Sequence, residues 1–449
     1  MKPGIAQPSQ PSVREVPKNT GTPLAVVTTL FFMWGAVTSL NDVLIPHFQH
    51  VFNLHLKVSM LVQTAFFASY FVFSLPSAKI IDWMGYHRAM VTGLGVVGLG
   101  AFLFVPAAKA PSFPLFLTAL VVLAAGITLL QVAANPYVAV LGKPETASSR
   151  LNLTQAFNSV GTTIAPWVGG FFILASAAAA MNQTPVEQAA SVIKPYVGLG
   201  IASVLLAIVI ASFQLPKIPS AEHHIGEKIN DSIWKHPSLI YGAIGIFLYV
   251  GAEVAIGSSI ANYLALDNIG HLASPDNFPD TGLRYQEALR AAAKYISVYW
   301  GGAMLGRFIG SAVLQKVKTS SVMALCTIMA ALLVTVSVMG SGPVAMWSIL
   351  LVGFFNSIMF PSIFTMGIAE LGPLTGKGSG VMIMAIVGGA IIPLIVGFIG
   401  DSINAKSYGG QNWGQGIHYA LIVPAFCYLY LLFFAVSGSK PNSERYAKS

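Results

Sequence analysis

The chain predicts an all-α membrane protein of twelve transmembrane helices, arranged as two pseudo-symmetric halves of six. Composition, the spacing of apolar runs and an internal repeat carry that expectation. Of 449 residues, 55% are hydrophobic and 9% charged, and mean hydropathy is +0.71, which no soluble globular protein of this length matches. Apolar segments fall at about 23–48, 58–82, 88–109, 114–141, 151–176, 194–215, 237–264, 291–316, 320–340, 343–370, 378–401 and 417–437. Each offers the roughly 20 residues that a helix needs to cross hydrocarbon.

In chain order, residues 1–22 are polar and hold Pro3, Pro8, Pro11 and Pro17, so a disordered tail is expected. The run beginning near Leu24 lacks a small-residue cleavage site and reads as an uncleaved first helix. Residues 23–215 form the first six-helix bundle and 237–437 the second. Between them, 216–236 is a polar linker carrying Glu222, His223, His224, Glu227, Lys228, Asp231 and Lys235, and 438–449 is a short C-terminal tail.

The repeat supports this division. Segment five contains Val160, Gly161, Ile164, Pro166, Gly170 and Phe171, and segment eleven contains Val387, Gly388, Ile391, Pro393, Gly397 and Phe398, each pair 227 positions apart. Segments four and ten echo one another more loosely, since Gln131 precedes Pro136 by five residues as Asn356 precedes Pro361. A proline frees a backbone carbonyl, so bent or broken helices lining a wet cavity are expected at both places.

Charge sets orientation and excludes some functions. Placing both termini and the linker in the cytoplasm puts 17 of the 24 Lys and Arg inside and 7 outside, with Arg307 of segment eight counted as inner. The net charge of +8 forms no patch, so nucleic acid is not an expected partner; the lipid bilayer is. Cys326 and Cys427 sit in apolar stretches as small hydrophobes, and no disulfide or cysteine-built metal site is inferred. With no Cys/His cluster, nucleophile elbow or phosphate loop, the chain does not read as an enzyme and implies no cofactor.

Only two of the sixteen acidic residues, Asp42 and Glu253, lie well inside membrane-length apolar runs. A buried carboxylate is costly, so such a group is a functional candidate by default. Thr38, Asn41 and Asp42 lie at helical spacing and make one side of segment one polar. Their oxygens suit a sodium ion, or Asp42 alone suits proton uptake and release, or it caps the helix near its outer end. Glu253 sits near mid-membrane in segment seven, where a neutral carboxyl bonded to another helix is the structural alternative. Segments four and five supply Gln131, Asn135, Asn152, Gln155 and Asn158, amides that both donate and accept, as a hydroxyl-rich neutral ligand requires. Among the aromatic residues, Tyr299 and Trp300 beside Gly301 and Gly302 are the best placed to face a sugar ring.

Between segments two and three runs Ala78-Lys-Ile-Ile-Asp82-Trp-Met-Gly85-Tyr-His-Arg88. This partly resembles the cytoplasmic loop signature of the major facilitator superfamily, with Ala78 in place of the leading Gly, and implies gating by Asp82, Gly85 and Arg88. More specifically, Leu40-Asn-Asp42-Val-Leu-Ile-Pro46, Ala133-Ala-Asn135-Pro136-Tyr-Val and Arg150-Leu-Asn152-Leu-Thr-Gln155-Ala-Phe-Asn158-Ser resemble the fucose permease family of bacterial sugar:cation symporters. Gln131-Val-Ala-Ala-Asn-Pro and Tyr249-Val-Gly-Ala-Glu253 are most similar to its glucose/galactose transporter branch.

The resemblance implies a rocker-switch importer of a neutral hexose (glucose, galactose or mannose) in the bacterial inner membrane, monomeric, with both termini cytoplasmic. Asp42 is then the coupling residue and the metal ligand if sodium is used, helped by Asn41, Thr38 and Gln131. Gln131, Asn135, Gln155, Asn158, Glu253, Trp300 and Asn356 are the expected sugar ligands. The fucose permease itself carries a Glu on segment four where this chain has Gln131, so a two-carboxylate proton relay by that route is lost. Sodium is therefore favoured slightly over the proton as the co-transported cation. A proton-coupled symporter of fucose or a related deoxy sugar is the alternative, and a drug/proton antiporter fits the amide-rich segments less well.

Overall fold

In the computed structural model, the described residues are 20–54, 58, 61–173, 184–217, 231–274, 276–277, 281–406 and 415–440. Most of the expected N-terminal tail, of the linker and of the C-terminal tail lies outside them. Every described regular element is helical. Segment one is Gly21–Val51, segment four Phe113–Val140, segment five Ala147–Ile173, segment six Ile193–Ser212, segment seven Pro237–Leu264, segment eight Thr281–Val313 and segment nine Thr319–Met339.

Segments two and three run together as Leu61–Lys109, with the chain reversing at Gly85 (φ 78°, ψ 167°). That backbone conformation is open to glycine at little cost and strained for other residues, which accounts for the tight turn in the loop signature. By length and composition, nine stretches of the described residues are apolar enough to cross a membrane; the Gly85 hairpin is one of them, and segments five and eight are not. Those two exceptions hold the polar groups at the centre of the molecule, and their polarity is what lowers their hydropathy.

The paired prolines behave differently. Segment ten breaks after Asn356 and resumes as Met359–Gly367, whereas segment four continues as one helix through Pro136. A break is therefore present in segment ten and not in segment four. Segment eleven is also interrupted, with a 3-10 turn at Ala385–Val387 between Thr375–Met384 and Gly388–Lys406.

The repeat serves packing. Segment five crosses segment one with Gly161 against the Phe32 carbonyl, and segment eleven crosses segment seven with Gly388 against the Phe247 carbonyl. At both crossings a Cβ would collide with backbone, so glycine is what lets the helices approach.

One end of the bundle carries the Gly85 turn, the Leu141–Thr146 connection, the 314–318 connection and the start of segment eleven. It is termed the basic end here, because Lys143, Lys316, Lys318 and Lys377 lie on it. Hydrogen bonds between the halves cluster there. Ser148 and Thr365 share one at 2.6 Å, Thr319 donates to Ser148 at 3.0 Å, Ser149 donates to the Ser311 carbonyl at 2.6 Å, and Ser379 donates to the Val132 carbonyl at 2.9 Å. Segments two and eleven also meet at this end, where a Cβ at Gly376 would lie 3.5 Å from Asp82 Oδ1. The basic end is closed.

Candidate functional site: an amide cluster and an ion pair between the halves

Segment five organises the centre. Ser148, Asn152, Gln155 and Ser159 are spaced three or four residues apart and so form one stripe along the helix. The stripe faces segment four and the opposite half. Gln155 donates from Nε2 to Asn135 Oδ1 at 3.4 Å, and Asn152 donates from Nδ2 to the Arg307 carbonyl at 2.9 Å. Asn158, beside the stripe, turns to segment one instead and donates to the Phe31 carbonyl at 3.0 Å, an approach that Gly35 permits.

Gln131 is buried in segment four and donates from Nε2 to the Tyr70 hydroxyl of segment two at 2.8 Å. This leaves its carbonyl oxygen as the acceptor end. Across the centre, Asn356 stands at the break in segment ten. Its Nδ2 donates to the Tyr299 hydroxyl at 2.9 Å, and its backbone carbonyl accepts from the Tyr249 hydroxyl at 3.1 Å. The buried Nδ2 of Asn135 and Oδ1 of Asn152 and of Asn356 make no protein hydrogen bond. Buried amide ends of this kind are rarely left unpartnered in a native protein, so these atoms are free to meet a polar ligand or water.

Glu253 is not alone. Its Oε1 lies 3.7 Å from Nη2 of Arg307, and the two side chains are 11% and 12% exposed. The guanidinium fans out over three further helices' worth of contacts: Nη1 donates to the Ser159 hydroxyl of segment five, Nε donates to the Ser357 carbonyl at the segment-ten break at 3.4 Å, and Nη2 faces Glu253. Arg307 therefore does not belong with the loop charges that set topology. It is a nearly buried counter-ion inside the bundle, and its removal from the inner count leaves the Lys/Arg bias in the same direction.

Trp300 lies seven residues before Arg307, two turns along the same face of segment eight and away from the basic end. Its ring lies over Gly257, where a Cβ would be 2.9 Å away, and it is 39% exposed. Thr38 is half-buried and donates to the Gly35 carbonyl of its own helix at 3.0 Å. Asn41 and Asp42 lie in the first helix, Gly21–Val51, but their side chains are outside the described residues. In the loop between segments two and three, Asp82 borders Gly376 of the opposite half, Gly85 makes the turn, and Arg88 is exposed.

The structure thus brings Gln131, Asn135, Gln155, Glu253 and Asn356 together around the contact of segments four, five, seven and ten, and it adds Tyr70, Tyr249, Tyr299, Ser159 and Arg307. In sequence Tyr299 stood out only as a ring beside Gly301 and Gly302 and Tyr249 only within the stretch leading to Glu253, and no pattern announced a hydrogen-bonding role for either or for Tyr70. Arg307 did give one: a lone Arg inside segment eight, with no acidic residue between it and the Val313 end of the helix, needs a partner from another helix.

Residues 26–393 match the Major Facilitator Superfamily. The chain belongs to that superfamily. Within it, the "Glucose/galactose transporter" of Brucella abortus biovar 1 (strain 9-941) is 45% identical over 94% of this chain and 95% of the relative. The "L-fucose-proton symporter" of Escherichia coli (strain K12) is 30% identical over 94% and 96%. Among solved structures, a major facilitator superfamily transporter, FucP, in the outward conformation superposes with a TM-score of 0.80 at 29% identity, over 94% of this chain and 99% of that one. The superfamily is one of transporters, and the fold, with its two six-helix halves, and the resemblance to the fucose permease family seen in sequence are shown by these matches.

Proposed function

We propose that this protein imports a neutral hexose by cation symport, working by alternating access between its halves. The observation that carries the reading is the buried amide cluster with unpartnered ends, set between halves that are closed at one end only by short polar contacts. Amides at fixed positions select hydroxyl-rich neutral cargo, and the glucose/galactose name of the Brucella relative points to the same class. The sugar ligands are Gln131, Asn135, Gln155, Asn158 and Asn356, with Trp300 stacking on the side away from the basic end; Glu253 borders the same region through its ion pair. Asp82, Gly85 and Arg88 govern closure of the basic end, which faces the cytoplasm of a bacterial inner membrane, together with both termini. The likeness to an outward transporter supports an outward-facing state for the closed basic end.

Asp42 is the coupling residue, with Asn41 and Thr38 close to it in sequence and Gln131 as a further ligand from segment four. Sodium is the proposed ion, because Gln131 is an uncharged ligand whose acceptor oxygen is left over from its bond to Tyr70. The second reading, proton coupling, is supported by the name of the Escherichia coli relative. Uptake of labelled glucose, galactose, mannose and fucose into proteoliposomes separates them: accumulation driven by a sodium gradient at constant pH is expected. Uptake driven only by a pH gradient sinks the sodium reading, and no uptake of any hexose sinks the substrate class.

A further inference from the structure

Arg307 is the one charged side chain among the described residues that hydrogen-bonds across the two halves at the centre of the bundle. Its own half holds it through Glu253 and the Ser357 carbonyl, and the other half holds it through Ser159 and, at the backbone, Asn152. The two grips are unequal. The contact to Ser159 is a close hydrogen bond, whereas Glu253 Oε1, at 3.7 Å, is buried and accepts no hydrogen bond. With the basic end closed, the guanidinium hydrogen-bonds to the opposite half, while Glu253 faces it at ion-pair distance with one oxygen that accepts no hydrogen bond.

We infer that Arg307 is a positioning residue that exchanges partners during alternating access, with Glu253 as its counter-ion and not as the carrier of the coupled cation. When segments five and eight part at the basic end, Ser159 and Asn152 are withdrawn together, because both belong to segment five. The guanidinium then closes onto Glu253, whose free oxygen accepts the hydrogen bond that Ser159 gave up. The charge of Arg307 stays balanced in both states, so the halves separate without leaving a bare cation in the membrane interior. A Glu that must neutralise Arg307 throughout the cycle is not available to bind and release an ion in each turn. The other charged or titratable groups close to Glu253 are Tyr249, Tyr299 and Tyr428, none of which supplies a second positive charge.

This rests on the transport reading for its meaning, but the test has an arm that does not. Cysteines at Ser148 and Thr365, whose hydroxyls lie 2.6 Å apart across the closed basic end, report closure by oxidative cross-linking in a background with Cys326→Ser and Cys427→Ser. Arg307→Met removes the grip on segment five and is expected to lower the cross-linked fraction about threefold, while Glu253→Gln removes the alternative partner and is expected to raise it or leave it maximal. Opposite responses are the signature of an exchange, and equal responses of the two variants overturn it. The transport arm uses the double variant Glu253→Gln/Arg307→Met: regained gradient-driven sugar accumulation, relative to either single variant, supports the counter-ion role. Exchange without accumulation, or no transport at all, overturns it. If the unmodified protein moves no sugar, the transport reading fails while the cross-linking result still decides the partner exchange.

Discussion

Gln131 donates a 2.8 Å hydrogen bond to the Tyr70 hydroxyl, joining segments four and two in the first half. An amide in this place cannot carry a proton, but it keeps the geometry a carboxyl would have. Gln131→Glu is therefore expected to add pH-gradient dependence to uptake without unfolding the protein, because the bond can reverse, with the Tyr70 hydroxyl donating to the new carboxylate. Gln131→Leu leaves the Tyr70 hydroxyl buried without its partner, at a cost of about 1–3 kcal/mol. The check is sugar counterflow and thermal unfolding in detergent: Gln131→Leu should lower both affinity and stability. Uptake by Gln131→Glu that is indifferent to pH would remove Gln131 from the coupling site.

The two glycines of the repeat make a matched pair for testing pseudo-symmetry as packing. Gly161→Ala pushes a methyl into the Phe32 carbonyl, and Gly388→Ala pushes one into the Phe247 carbonyl. Each is expected to destabilise the protein by about 1–3 kcal/mol, the usual range for an added methyl in a packed site. Gly198→Ala is the control, since nothing lies within 4 Å of a Cβ there. Similar losses at the two crossings and none at Gly198, read as shifts in unfolding temperature, are the expected result.

Much of this architecture was legible because a membrane punishes disagreement between sequence and fold. The apolar runs gave the crossings to within a few residues, apart from segment eight, whose helix starts at Thr281 rather than about 291 because polar residues such as Arg284 and Glu287 continue it beyond the apolar stretch. The amide stripe of segment five was legible too, from spacing alone. What sequence withheld was pairing. Asn158 looks like Gln155 in sequence, yet it spends its donor on the Phe31 backbone while Gln155 reaches Asn135. Glu253 announced itself as a buried acid, but its partner was absorbed into a topology count, since an Arg near the end of an apolar run and an Arg turned toward another helix read alike until the helices are placed. Similarly, Pro136 and Pro361 occupy matching positions, and only the tertiary setting breaks one helix and spares the other.

Closure of the basic end depends on how nearly segments five and eight can touch. Gly310 of segment eight lies where a Cβ would be 2.8 Å from Asn152 Nδ2 and would also strike Ile358. Gly310→Val is thus a wedge between the halves and, with the hydrogen bond from Asn152 to the Arg307 carbonyl displaced, is expected to favour opening of the basic end by about tenfold. Alkylation of a cysteine placed at Ser149, whose hydroxyl is buried against the Ser311 carbonyl, measures that opening from the basic end. An unchanged alkylation rate would mean that segment eight yields locally and that this contact does not limit closure.

Asp42 carries the coupling prediction. Every other acid inside the membrane-length segments is accounted for by a counter-ion, since Glu253 faces Arg307. Symport needs a group whose occupancy by a cation changes the free energy of the sugar-bound state, and a carboxylate already paired with a guanidinium gives little such change. Asp42→Asn keeps the size and one acceptor oxygen while removing the charge that the proposed coupling role needs. Sugar exchange across the membrane should then persist within about tenfold of the unmodified protein, while accumulation against a gradient should fall to a ratio of about 1. Measured side by side in proteoliposomes with an imposed sodium gradient, exchange without accumulation assigns coupling to Asp42, and accumulation that survives the substitution moves it elsewhere.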